Sequence, residues 1–180
     1  MSFSQLLKEN REAIVASWFD LIIDSFPADS SGFLREQRDQ FRNPIGHTIR
    51  EEAGVLFDCL VHGQSPETMT ASLDKIVRIR SVQESTAAEA VSFVFSLKVA
   101  IREVLADQLK EDDLYPQLAD IDSAIDRLAL AAFDNFMHCK EQIYEISARE
   151  VKNRSAMLIR NINRMYGDPY ERTDRQKGKV

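Results

Sequence analysis

Apolar residues in this chain recur three and four positions apart, the spacing that lines one face of an α-helix. From about Ser4 to Ser25, Leu7, Ile14, Trp18, Leu21 and Ile22 share such a face, and Pro27 after Phe26 ends the run. A short second helix is expected across Phe33 to Phe41. Asn43-Pro44 is a helix start, because Asn caps free amides and Pro suits the first helical position. The helix it opens carries Ile45, Ile49, Leu56 and Leu60 and ends at Gly63. Ser65-Pro66 repeats the device ahead of Met69, Leu73, Ile76, Val77 and Ile79. Thr86 and Glu89 form a capping box that opens a helix with Val91, Phe93, Val94, Leu97, Ile101 and Leu105. No strand-like alternation of useful length occurs, so the predicted fold class is all-α.

Tyr115-Pro116 starts the last and longest helix, which need not stop before about Asn163. Forty-odd residues at ~1.5 Å each would be about 70 Å, more than twice the width of a small domain. Leu118, Ile121, Ile125, Leu128, Phe133 and Phe136 make its first half apolar enough to pack in a body. In the second half Met137, Tyr144, Val151, Leu158 and Met165 recur every seven residues, with Ala148, Ser155 and Ile162 four further on. That is a thin coiled-coil seam, read as a protruding dimer stalk through Tyr144, Val151, Leu158 and Ile162. The other reading is a helix that folds back or frays. The expected domains are a helical body, 1–148, a helix extension, 149–165, and a polar, disordered tail, 166–180.

Charge sharpens this division. The chain's formal charge is −6, residues 149–180 carry nine Lys/Arg against four Asp/Glu, and residues 1–148 are therefore at −11. An acidic body with a basic arm points to an arm that meets a partner or is simply solvated. The acidic total argues against nucleic-acid binding. Gly and Pro together number 11, about 6% and roughly half the usual share, which favours helix over turn-rich all-β architecture. Cys59 and Cys139 are too few for a disulfide scaffold and fit a reducing compartment. With charges ahead of any apolar run and no long uncharged apolar stretch, the expected location is cytoplasmic, without membrane insertion.

The chain supplies no catalytic motif. His47, His62 and His138 form no paired metal-ligand spacing, and no metal or other cofactor is expected. His47 and His138 are weak candidates for axial haem ligands, with Phe93, Phe95 and Phe133 as pocket walls. Both cysteines read as small buried residues, Cys139 becoming a redox-sensitive thiol only if its face is open beside Lys140. The six glycines never form a phosphate-cradling loop, and the pairs Glu51-Glu52 and Asp112-Asp113 read as solvated surface. The segment from Leu73 to Gln83 places Arg78 and Arg80 among Ile76, Val77, Ile79 and Val82. Arginines there need carboxylate partners or exposed heads; Glu51 or Glu52 could supply the partner, and the functional alternative makes the arginines an anion or partner contact.

Asn43-Pro44-Ile45-Gly46, then Leu73 to Gln83 (LDKIVRIRSVQ), then Ala87 to Lys98 (AAEAVSFVFSLK) follow one another at spacings similar to the RsbRD N-terminal domain. This is the sensor domain of some RsbR-type stressosome co-antagonists. The segment Arg149 to Arg154 resembles the helix leaving such a domain, so the likeness covers about residues 4 to 155. Its motif positions are Asn43, Pro44, Gly46, Arg78, Arg80, Gln83 and Lys98. The resemblance implies a globin-like domain without haem that dimerises and feeds its last helix into an output module. In the family that module is usually a STAS domain, phosphorylated by a partner kinase. Val180 lies about 15 residues past the expected helix, too few for a STAS domain, so a separated sensor half and a stand-alone protein are both open. The expected function is a non-catalytic signal-transduction sensor or adaptor acting in a stress response. The alternatives are a regulatory subunit of another cytoplasmic complex and a haem-binding globin sensor.

Overall fold

The computed structural model describes residues 2–36, 39, 41–63, 65–83, 86–110 and 114–166. They are all-helical, with seven α-helices and one 3-10 turn among them. The helices are α1 (Phe3–Glu9), α2 (Arg11–Asp24), α3 (Ala28–Glu36), α4 (Pro44–His62), α5 (Pro66–Ser81), α6 (Ala87–Val104) and α7 (Tyr115–Tyr166). The 3-10 turn, Gln108–Lys110, carries no periodic signal in the sequence.

Three helix starts follow the expected local chemistry. The buried Asn43 accepts the Gly46 amide at 2.8 Å through Oδ1, with Pro44 in the first turn of α4. Ser65 accepts the Thr68 amide, and Pro66 opens α5. At α6 the capping box is closed both ways: Thr86 Oγ1 takes the Glu89 amide at 3.2 Å, and Glu89 Oε2 takes the Thr86 amide at 2.9 Å. Gly63 ends α4 in the left-handed conformation at φ 66°, which costs a residue with a Cβ more than glycine.

Two expected boundaries are corrected. The first helix breaks at Asn10, whose Nδ2 donates to the Leu6 carbonyl at 2.9 Å and so closes α1. An Asn side chain that satisfies the backbone locally competes with helix continuation. The second helix starts at Ala28 rather than Phe33 and ends by Glu36, because Ser30 and Ser31 donate their amides to the Pro27 carbonyl. Phe41 lies beyond it at 88% exposure; residues 37, 38 and 40 of the expected span lie outside the described residues.

By contact the chain divides into two units, Met1–Cys139 and Lys140–Val180. In the first, α2 is the central helix and packs on α1, α3, α4 and α6. Ile14, Trp18, Phe19, Ile22 and Ile23 are all buried on it, and each such side chain contributes roughly 1.5–3 kcal/mol on leaving water. Trp18 Nε1 donates to the Phe93 carbonyl at 2.7 Å, so the largest core side chain also leaves its one polar atom paired. Arg11 holds Asp58 through two hydrogen bonds of 2.7 and 2.8 Å, tying α2 to α4. From α7, Leu118, Ile125, Leu128 and Phe136 are buried as expected, whereas Phe133 is 43% exposed. In the second unit nearly every described side chain is exposed. The tail from residue 167 on lies outside the described residues.

Candidate functional site

The end of α5 sets the first candidate site. Arg78 and Arg80 are two positions apart, about 200° around a helix, so one faces out when the other faces in. Arg78 points outward and pairs with Asp74, one turn back, at 2.5 Å. Arg80 points inward and is 2% exposed. Its Nη1 donates to Ser25 Oγ and its Nη2 to the Glu89 carbonyl, each at 2.8 Å, and its guanidinium lies 4.9 Å from the centre of the Phe26 ring. One side chain thus joins the ends of α2, α5 and α6.

The expected carboxylate partner for these arginines is not what the structure contains. Glu52 is buried and pairs with Lys75, while Glu51 lies 3.6 Å from His47. Both acids sit on α4, where Lys75, one turn earlier on α5 than Arg78, meets Glu52 first. Arg80 has no carboxylate bond among the described residues, and its buried Nε has no hydrogen-bond partner. Burial pushes its pKa below the usual arginine value, opposed by the charge of Glu89.

Two cavities lie in this region, and the first is lined by Arg80. One, of about 410 Å³, is lined by Ser25, Phe26, Pro27, Arg80, Gln83, Glu89 and Ser92. The other, of about 260 Å³, has mostly apolar walls from Phe26, Phe33, Leu34, Pro44 and Ile45, with Ser30, Asn43 and Gln83. Phe26 and Gln83 line both. Asn43 holds the second wall in place, since its Nδ2 donates to the Leu34 carbonyl at 2.9 Å. Gly46 sits so close beneath that an added Cβ would lie 2.6 Å from the Leu34 carbonyl oxygen.

Of the sequence motif positions, Asn43, Pro44, Arg80 and Gln83 therefore meet around these cavities, with Gly46 supporting them. Lys98 does not; it pairs with Asp126 at 2.6 Å, and Arg102 pairs likewise with Asp122, linking α6 to α7. Sequence reasoning missed Ser25, Phe26 and Ser92, which carry no local signal because the fold alone brings them to Arg80.

The other candidate chemistry is dispersed. His47, His62 and His138 are all exposed, and Phe95 and Phe133 face outward at 45% and 43% while Phe93 is buried. Neither cavity described above is lined by His47, His138, Phe93, Phe95 or Phe133. Cys59 and Cys139 are both buried thiols, so the open-faced thiol considered for Cys139 is not present. Burial, and then the charge of Asp58, raise the Cys59 pKa above the ordinary thiol value. Among the described residues no group of three or more acidic, His or Cys side chains could hold a metal ion, and no helix is long and apolar enough to cross a membrane. The Asp112-Asp113 pair lies outside the described residues.

A separate candidate surface, within the second unit, is a row on α7. Tyr144, Val151, Leu158 and Met165 are 62–73% exposed and Ile162 55%. Seven helical residues turn through about 700°, so this spacing keeps the row on one face with a slow drift. Ala148 and Ser155 lie between its members, and Ile146 falls on the opposite face, 66% exposed.

The described residues thus form an all-α fold with buried helix junctions in one unit and an exposed heptad row in the other. The family described as the RsbT co-antagonist protein rsbRD N-terminal domain matches residues 12–151, and the chain belongs to that family. It is a stressosome co-antagonist-type signalling domain, a regulatory class and not a known enzyme family. No curated protein and no solved structure matches the chain.

Proposed function

We propose that this chain is a non-catalytic sensor or adaptor whose helical body binds a ligand or partner and whose terminal helix, paired with that of a second copy, relays the bound state. The observation that carries this reading is the row of Tyr144, Val151, Leu158, Ile162 and Met165, apolar side chains left exposed at heptad spacing. Such a row gains little from water and much from a second helix that covers it. Within the body, Phe95 and Val99 on α6 and Leu130, Phe133 and Met137 on α7 are also exposed apolar side chains. In this reading residues 1–148 are a globin-like input body, 149–165 the relay and 166–180 a basic arm, all working in the cytoplasm. A ligand moves such a relay only through different affinity for its two arrangements. The partner fitting the family is a STAS-domain protein or its kinase.

Disulfide trapping tests the pairing, because both native cysteines are buried. Val151→Cys and Leu158→Cys should give covalent dimers in mild oxidant, and Ile146→Cys should not. Equal trapping at all three positions would reject the seam. For the partner, a STAS-domain protein or kinase should be retained by residues 1–180 and lost by residues 1–148. Retention by both would place the contact on the body and make the chain an accessory subunit of the other kind.

A further inference from the structure

The cavity beside Arg80 has the chemistry of a ligand site. A guanidinium carries five N–H donors, and the bonds to Ser25 and to the Glu89 carbonyl use two. The remaining donors include the buried Nε, which has no partner among the described residues. Both occupied acceptors are neutral oxygens, so the charge itself is uncompensated by any direct carboxylate bond. A buried cation in that condition is costly, and a planar anion that takes the spare donors relieves the cost. The one carboxylate in the wall, Glu89, spends Oε2 on the Thr86 amide and hydroxyl in the capping box.

The neighbouring apolar cavity says what the anion would carry. At about 410 Å³ the Arg80 cavity falls within the range of small-molecule sites. Phe26 and Gln83 separate it from the second space, about 260 Å³, walled by Phe33, Leu34 and Ile45. We infer that this double cavity binds a small organic oxyanion, a carboxylate or phosphate ester, with its charged group on Arg80 and an apolar group toward Phe33 and Ile45. The inference supplies the ligand class for the sensor reading above and rests on it only for the downstream consequence; binding itself is independent of any relay.

The test uses the full chain, uniformly labelled with ¹⁵N and ¹³C, and follows the Arg80 Nε–H resonance assigned through its own side chain. Benzoate, phenyl phosphate, acetate and inorganic phosphate are titrated at constant ionic strength, with benzamide as the neutral counterpart of benzoate. The expected result is a saturable shift with benzoate or phenyl phosphate, weaker with acetate or phosphate, and none with benzamide. The stronger of the first two identifies the carboxylate or the phosphate source. Arg80→Lys keeps the charge but loses the planar fork, and should weaken the tighter ligand at least about tenfold. Should that variant not fold, the wild-type resonance still decides. A response to all four anions no larger than that to chloride, or an equal response to benzamide, overturns the site. Dimerisation measured in the same samples separates the two proposals: saturable binding by a monomeric chain upholds the site and rejects the relay.

Discussion

Trp18, Phe57 and Phe93 are each at most 1% exposed, whereas Tyr144, Val151, Leu158, Ile162 and Met165 are at least 55% exposed. Both groups sit on well-formed helices of one chain. In the body each helix is held by tertiary partners: Trp18 against Phe93, Arg11 against Asp58, Arg80 against Ser25 and Glu89. In the second unit the Glu150–Arg154 pair at 2.5 Å, one turn apart, is local support. Such a pair supplies only about 0.2–0.5 kcal/mol. The difference teaches where each region's stability must come from. On the proposed reading the body carries its own, and the terminal helix draws its stability from the second copy that covers the heptad row.

Breaking the body should therefore cost most. Trp18→Ala removes a wholly buried side chain together with its bond to the Phe93 carbonyl, and should lose about 3–5 kcal/mol in denaturant unfolding. Next in size, Leu158→Glu with Ile162→Glu should weaken dimerisation at least about 100-fold, near 2.7 kcal/mol, with body stability unchanged. A comparable loss of body stability would erase the distinction between the regions. Asn43→Ala gives up both the Gly46 cap and the buried Leu34 bond, and should cost about 2 kcal/mol by the same unfolding assay.

Thr86→Ala is smaller, about 1 kcal/mol at neutral pH from the lost cap. It also carries a pH signature. The Thr86 amide and hydroxyl hold the Glu89 carboxyl below its ordinary value, so the folded state favours the ionised form. That contribution is fully present above the usual glutamate range and is lost as pH falls through and below it. Unfolding measured across this window should show a shallower acid loss in Thr86→Ala than in the wild type. Smallest of all, Ile146→Glu, on the far face of α7, should leave both dimerisation and body stability unchanged.

What could be read from the residues alone was what short stretches decide. Asn43-Pro44, Ser65-Pro66 and the Thr86–Glu89 box each start a helix with chemistry confined to one turn, and each stands where expected. Asn10 broke the first helix because its side chain found the Leu6 carbonyl, a local competition that the apolar row across it concealed. The failures elsewhere are tertiary. Glu52 chose Lys75, Arg80 chose Ser25 and a main-chain oxygen, and Phe133 turned outward. One signal was available: a two-residue spacing on a helix already requires Arg78 and Arg80 to face differently. The cavities were not legible, since Phe33, Leu34 and Ile45 have the same pattern whether they fill a core or line a space.

The central claim, that the exposed row on α7 is a pairing surface, is tested most directly by sedimentation equilibrium of the full chain and of the Leu158→Glu, Ile162→Glu variant. The account predicts a wild-type dimer at micromolar concentration and a variant that is monomeric with its body still folded. A wild-type chain that stays monomeric into the high micromolar range would contradict it.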